Sequence, residues 1–189
     1  MLYNERNLSV AKMASQSDMK LALASVLFTK DKTVASDGVR LLEISTPKNA
    51  KVSEFPKAMQ GCKPFLARAR QIKDIKLLKN SAMPLVAIKH LDDTRVEFIT
   101  SVGDTITSHN VARVHEQFPD YNKIFPTEKP LAEVELNGLL LAELLEVMSK
   151  LDRMSKVKIK VYAPNKPVVL EAGDKEVQFA RGMLMCMMK

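Results

Sequence analysis

Alternation of apolar and polar residues governs three stretches of the chain. The first, LALASVLFTKDKTVASDGVRLLEIS, turns at Lys30-Asp31-Lys32, a polar triplet suited to closing a hairpin. The second, PLVAIKHLDDTRVEFITSVGDTITSHNVARV, turns at Asp92-Asp93 and again at Gly103-Asp104. The third, VKIKVYAPNKPVVLEAGDKEVQFARGMLMCMM, turns at Pro164-Asn165-Lys166 and at Gly173-Asp174-Lys175. Val, Ile and Thr dominate these runs, as a half-buried pleated surface favours.

A segment of helical spacing precedes each group. In NLSVAKMAS, Leu8 and Ala11 share a face. KPFLARARQIKDIKLL places Phe65, Ala69, Ile72 and Lys76 near a 3.6-residue repeat, with Pro64 suited to a first helical turn. NGLLLAELLEVMSKL carries a stripe of Leu140, Leu144, Val147, Met148 and Leu151 behind Asn137 as N-cap. Short strands are expected ahead of the first and third helices, in MLYNE and LAEVEL. The pattern strand–helix–strands thus runs three times, over 1–46, 47–126 and 127–189, and predicts an α+β fold. Such units expose sheet edges, a physical reason to expect assembly.

HEQFPDYNKIFP, from His115 to Pro126, fits neither period. Proline is excluded from strand ladders and from helices beyond the first turn. Phe118-Pro119-Asp120-Tyr121 is therefore expected to form a fixed bend with its rings turned inward, and Ile124-Phe125-Pro126 to open a crossing to the next unit.

Composition narrows the class. The 189 residues are 46% hydrophobic and 27% charged, enough for one long domain or two small ones with a real core. No apolar run reaches the 18 or so residues of a membrane helix, and the N-terminus lacks a basic-then-apolar signal pattern, so a cytoplasmic protein is expected. Cys62 and Cys186 lack a CxxC partner and read as small buried hydrophobes. The net charge is +7. Between Lys57 and Lys79, seven basic residues (Lys57, Lys63, Arg68, Arg70, Lys73, Lys76 and Lys79) face only Asp74, a bias compatible with a polyanionic partner.

Catalytic chemistry finds no constellation. His90, His109 and His115 lack metal-ligand spacing with a carboxylate. Asp92-Asp93 reads as turn chemistry, and Glu143 and Glu146 as a solvated helix face. GxGxxG, Walker A and GxSxG motifs are absent from the sequence. No enzyme and no cofactor or metal is expected. GMLMCMMK instead places Met183, Met185 and Met187 on one side of a terminal strand and Leu184, Cys186 and Met188 on the other. Methionine surfaces remould around apolar peptides. In TVASDGVRLLEIS, Asp37-Gly38 interrupts a strand, so Gly38 is expected to mark a bulge or a close backbone approach that re-aims Val39, Arg40 and Leu41.

Three motifs carry a resemblance. VASDGVRL resembles the VATDGHRL signature of bacterial DNA sliding clamps, the beta subunits of replicative DNA polymerase III. HEQFPDYNKIFP is similar to the EGxFPDYxxVIP run of the same family, and NKPVVLEA with MLMCMMK resembles the clamp's last strands, which end in a variant of VLMPMRL. The resemblance implies a DNA-clamp fold with antiparallel sheets outside and helices inside. On that pattern 1–126 is a complete domain of two half-units and 127–189 a third half-unit. Val39 stands where the family has His, and Cys186-Met187-Met188-Lys189 replaces the terminal Pro-Met-Arg-Leu.

What the resemblance implies about function is a non-catalytic processivity factor. It would encircle double-stranded DNA without sequence preference and tether a DNA polymerase or other clamp-motif proteins, with a possible clamp loader as a further partner. The implied peptide pocket comprises Val39, Arg40, Leu41, Phe125, Pro126, Pro167, Val169, Met185, Cys186 and Met187. The implied DNA contacts are the seven cations of Lys57–Lys79 together with Arg6, Lys12, Lys150 and Arg153. Family rings hold twelve half-units; three per chain imply a homo-tetramer in which third units meet across a two-fold axis, while a fourth unit hidden in 47–126 would imply a trimer. The alternative is a clamp-fold regulatory protein that binds clamp-motif peptides without encircling DNA.

Overall fold

The computed structural model describes residues 2–47, 63–77, 85–102, 105–151, 154–163 and 166–187. The chain divides into two compact units, Met1–Ile124 and Phe125–Lys189.

In the first unit a short strand, a helix and three strands occur twice. The first set is β1 (Leu2–Asn4), α1 (Glu5–Ser9) with a 3-10 turn over Val10–Met13, β2 (Ser25–Phe28), β3 (Lys32–Ser36) and β4 (Leu41–Ser45). The second is β5 (Phe65–Arg68), α2 (Ala69–Lys73), β6 (Leu85–His90), β7 (Arg95–Val102) and β8 (Thr105–Val114). All eight strands join one antiparallel sheet in the order β1-β6-β7-β8-β5-β2-β3-β4. Each set lends its leading strand to the other. β1 pairs with β6 (Tyr3 opposite Val86), and β5 with β2 (Ala67 opposite Val26). β5 also pairs with β8 of its own set, whereas β1 and β4 are the two ends of the sheet.

At that open seam a side chain stands in for a strand. The Asn7 amide nitrogen donates to the carbonyls of Ile44 and Ser45 on β4 at 3.0 and 3.1 Å. Asn7 also closes a reciprocal capping box with Asn4, its Oδ1 accepting from Asn4 N while Asn4 Oδ1 accepts from Asn7 N.

The sequence spacing predicts a helix over 63–78, and the structure corrects this. Phe65–Arg68 is β5, and the helix is only Ala69–Lys73. Tertiary packing overrides the local period, because the Phe65 ring stacks on Phe28 at 5.0 Å, with Phe98 edge-on to Phe28 at 5.3 Å. Tyr3 closes the same aromatic cluster, edge-on to Phe28 at 5.4 Å, and its hydroxyl donates to Thr29 O at 2.7 Å. Leu8, Val10 and Ala11 from the first helical segment and Ala69 and Ile72 from α2 fill the rest of this core. Both helices thus lie against the sheet on the core side, leaving their outer faces to solvent.

The proline-bearing bend ends in a 3-10 turn over Tyr121–Ile124. Tyr121 is buried and Phe118 half-buried, edge-on at 6.0 Å, and Lys32 Nζ lies 5.1 Å from the Tyr121 ring centroid.

The second unit contains α3 (Gly138–Met148), β9 (Val157–Lys160), β10 (Val168–Asp174) and β11 (Gln178–Leu184), with sheet order β11-β10-β9. Asn137 caps α3 through Oδ1, which accepts from Leu139 N and Leu140 N. LAEVEL, expected as a strand, is not one by its hydrogen bonds. One backbone contact, Met187 N to Glu135 O at 2.9 Å, holds it beside the chain end. The β10–β11 turn falls at 175–177, two residues later than its expected position at Gly173-Asp174-Lys175. Gly173, the penultimate residue of β10, has φ +82°, and a Cβ there would collide with Gln178 O. The expected turns at Gly103-Asp104 and Pro164-Asn165 lie outside the described residues.

Candidate functional site

The helices of the first unit carry its candidate anionic-ligand surface. Arg6 on α1 and Lys12 in the following turn are exposed, as are Arg70 and Lys73 on α2. α1 and α2 pack against one another, so these four cations share one pair of adjacent helices. Lys63 and Lys76, before β5 and after α2, are exposed as well. Arg68 differs. It ends β5, is half-buried, and its guanidinium binds Asp18 at 2.7 Å, with Arg70 at 3.9 Å from the same carboxylate. Lys57, Lys79 and Arg153 lie outside the described residues. On α3 the outer face presents Glu143 and Glu146, and Lys150 is engaged by Glu146 at 3.3 Å. The basic character therefore belongs to the first unit's helices.

The second feature is the turn between β3 and β4. Gly38 marks neither a bulge nor a close backbone approach: Asp37-Gly38-Val39-Arg40 is a closed loop between two hydrogen-bonded strands. Asp37 Oδ1 accepts from Val39 N and Arg40 N at 2.9 and 3.0 Å, and Oδ2 accepts from Arg40 Nε at 3.0 Å. Ser36 Oγ accepts from Gly38 N and donates to Arg40 O. Those backbone N–H bonds, with Arg40 behind them, hold the Asp37 carboxyl below the usual carboxylate range. Glycine is required at 38 by φ +93° and not by crowding, since a Cβ would meet only Leu23 Cδ1 at 3.8 Å. The outcome is a rigid polar loop that raises Val39 to 96% exposure, with Leu41 half-buried behind it.

In the second unit, pairing fixes which residues share a face. Val168, Leu170 and Ala172 are buried beneath α3, so Val169, directly opposite Met183, lies on the sheet's other face. Pro167 has the same parity. Met183, Met185 and Met187 are each exposed by more than half (58, 55 and 57%), whereas Leu184 and Cys186 are buried, the alternation expected of GMLMCMMK. Cys186 is thereby corrected as a pocket residue: its thiol is in the core and donates to Lys166 O at 3.0 Å. Phe125 and Pro126 are exposed at the start of this unit. Cys62 lies outside the described residues.

One feature was not anticipated. An open apolar cleft of about 480 Å³ runs between α3 and β11, lined by Leu140, Leu144, Val147, Met148, Ala180 and Gly182 among others. Its cause is legible afterwards: small residues at alternate positions of β11, Ala180 and Gly182, leave space beside the α3 side chains. A Cβ at Gly182 would touch Met148 Sδ and Leu144 Cδ2 at 3.5 and 3.6 Å. No group of three or more His, Cys, Asp or Glu able to hold a metal occurs among the described residues, and no described helix is long and apolar enough to cross a membrane.

A curved antiparallel sheet lined by paired helices, built from repeated strand–helix–strand sets, is the DNA sliding-clamp fold. The chain superposes on the DNA polymerase sliding clamp of Bacillus subtilis with a TM-score of 0.73 and 14% identity, covering 98% of this chain and 48% of that one. For the beta subunit from the DNA polymerase of Streptococcus pyogenes the values are 0.68, 13%, 100% and 50%. For a Pseudomonas aeruginosa sliding clamp bound to griselimycin they are 0.68, 16%, 98% and 50%. The likeness is one of fold, and the chain spans about half the length of these clamps. No protein-family model and no curated protein matches the sequence.

Proposed function

We propose that the protein is a short sliding clamp, a non-catalytic ring of several copies that retains DNA polymerase or other enzymes on duplex DNA. The observation that carries this reading is the placement of Arg6, Lys12, Arg70 and Lys73 on two adjacent helices of a clamp-fold unit. Cations so placed neutralise phosphates without reading bases, the sequence-independent contact that a sliding ring requires. Two strand–helix–strand sets and a third that lacks its leading strand, with a length half that of the clamps it resembles, support four chains for a ring of twelve sets. Apolar linear motifs of partner enzymes would dock on the second unit's exposed apolar face, Pro167, Val169, Met185 and Met187.

The acidic outer face of α3, with Glu143 exposed and Lys150 held by Glu146, favours one competing reading. In it, a clamp-fold protein takes up clamp-motif peptides and never surrounds DNA. Topology separates the two. A ring loaded on nicked circular duplex stays bound through gel filtration and is lost once the circle is linearised. Equal loss from both substrates would exclude encirclement.

A further inference from the structure

The first unit shows how two strand–helix–strand sets complete each other: each inserts its leading strand beside the first post-helix strand of the other, β1 on β6 and β5 on β2. The second unit holds one such set. Its leading segment is LAEVEL (131–136), and its first post-helix strand, β9, is an edge of the three-stranded sheet. Among the described residues nothing pairs with the outer edge of β9. The consequences are visible in burial. Phe28 on β2 and Ile88 on β6, core-facing residues of the equivalent strands, are 0 and 1% exposed. Ile159, on the corresponding face of β9 and opposite the buried Leu170, is 54% exposed.

We infer that this half-finished set is completed by the same set of a second copy, LAEVEL of each chain pairing antiparallel with β9 of the other about a two-fold axis. Reciprocity makes the geometry self-complementary: each copy offers one donor segment and one acceptor edge, as an isologous dimer needs. The two edges also match in charge. Val134 and Leu136 pack toward the unit's core, which turns Glu133 and Glu135 outward. On β9, Val157 packs inward and Lys158 and Lys160 lie on the outer face, where Lys160 meets Glu171 at 2.7 Å.

Register follows from the first unit. The N-cap residues Asn4 and Arg68 each pair with the first residue of their acceptor strand, Leu85 and Ser25. Val157, the first residue of β9, faces inward like Val86 and Val26, the second residues of β6 and β2. Matching inward faces therefore sets Asn137 one residue earlier, against Lys156. Leu136 then meets Val157, Glu135 meets Lys158, Val134 meets Ile159 and Glu133 meets Lys160. Apolar residues oppose apolar residues on the core side and acids oppose bases outside, twice per dimer. Directly opposed unlike charges favour pairing, and like charges oppose it.

This inference shares with the ring only the need for self-association and requires no DNA. Its test is sedimentation of the full chain at micromolar concentration, with thermal melting as the folding control. Glu135→Lys puts Lys against Lys at both pairs of the dimer, and Lys158→Glu puts Glu against Glu. Each variant should raise the dimer dissociation constant on the order of tenfold or more. Mixed in equal amounts they should regain wild-type assembly, because each mixed pair is again Lys against Glu. A wild-type chain that sediments as a monomer overturns the inference. So does a pair of variants that assemble like wild type, or a mixture that stays dissociated. Retention on circular DNA is read separately: a normal dimer that never stays on circles defeats the ring alone, and a closed ring indifferent to both substitutions defeats this pairing alone.

Discussion

The side-chain amide of Asn7 donates to the carbonyl oxygen of Ile44 at 3.0 Å, tying the first helix to the last strand of its own set. The equivalent seam in the second set is a backbone ladder, β5 on β8. Asn7 is fully buried, and its backbone carbonyl accepts from Thr33 Oγ1 at 3.0 Å, so a whole polar cluster is satisfied around one residue. Replacing it with Ala would remove the donor to the Ile44 and Ser45 carbonyls and break the capping box with Asn4. Asn7→Ala should cost about 2–4 kcal/mol in urea unfolding, while Ser9→Ala, on the exposed side of the same helix, should cost well under 1 kcal/mol. Equal small effects would show that the cluster is not what closes the seam.

The hairpins were legible because alternation, β-branched residues and polar turns agree locally, as in the Asp92-Asp93 turn between β6 and β7. The methionine alternation at the chain end was legible for the same reason. Phe65 was not. Its helical spacing with Ala69 and Ile72 is real, but stacking on Phe28 at 5.0 Å, a partner 37 positions away in sequence, decides for a strand. LAEVEL failed in the opposite way: its strand pattern is genuine, but among the described residues it finds no ladder beyond the bond at Glu135. Ion pairing is equally invisible in one dimension. Asp18 stands 50 residues from Arg68, yet removes it from the free cations of the run in which it was counted. The α3–β11 cleft needed a helix and a strand to be brought side by side before Ala180 and Gly182 could mean anything.

Acid should destabilise the fold through three carboxylates. Hydrogen bonds from the Thr94 hydroxyl, Arg95 and the Thr94 N–H hold Asp92 far below its ordinary range. Asp37 is lowered by the Val39 and Arg40 N–H groups, and Glu171 by Lys160. A depressed folded value means that the stabilisation is present above the unfolded carboxylate pKa of about 4 and is lost as pH falls through the folded value. The His90 imidazole, whose folded value burial and Arg113 hold down, brings a separate decline below about pH 6.5. Below about pH 4 the carboxylates should add a further fall in melting temperature. Asp92→Asn should flatten part of that fall. An unchanged acid limb in that variant would remove Asp92 from the account.

Charge on the paired helices makes a two-sided prediction for DNA. Arg70→Glu with Lys73→Glu should weaken duplex binding for every sequence alike and lower the salt slope by about 2, roughly 0.9 for each phosphate left without its cation. Both side chains are exposed, so the melting temperature should hold. Asp18→Asn should act the other way, since it releases Arg68 and Arg70 from their shared carboxylate. Fluorescence anisotropy on a labelled duplex at several salt concentrations measures both. Matching salt slopes for all three proteins would mean that DNA does not meet these helices.

The exposed apolar residues separate peptide docking from DNA contact. Met185 and Met187 each stand more than half exposed on the face away from α3. Truncating both to Ala removes apolar area that a bound Leu- or Phe-bearing peptide would cover, and each well-filled contact is commonly worth about 1–2 kcal/mol. Met185→Ala plus Met187→Ala should weaken a fluorescent clamp-motif peptide by roughly tenfold or more and leave the salt dependence of duplex binding untouched. Cys186→Ser serves as the contrast, because its thiol is buried against Lys166 O. It should lower stability with little change in peptide affinity. If the double variant binds as tightly as wild type while Leu140→Ala in the α3–β11 cleft does not, the peptide belongs in that cleft and the methionine face has another use.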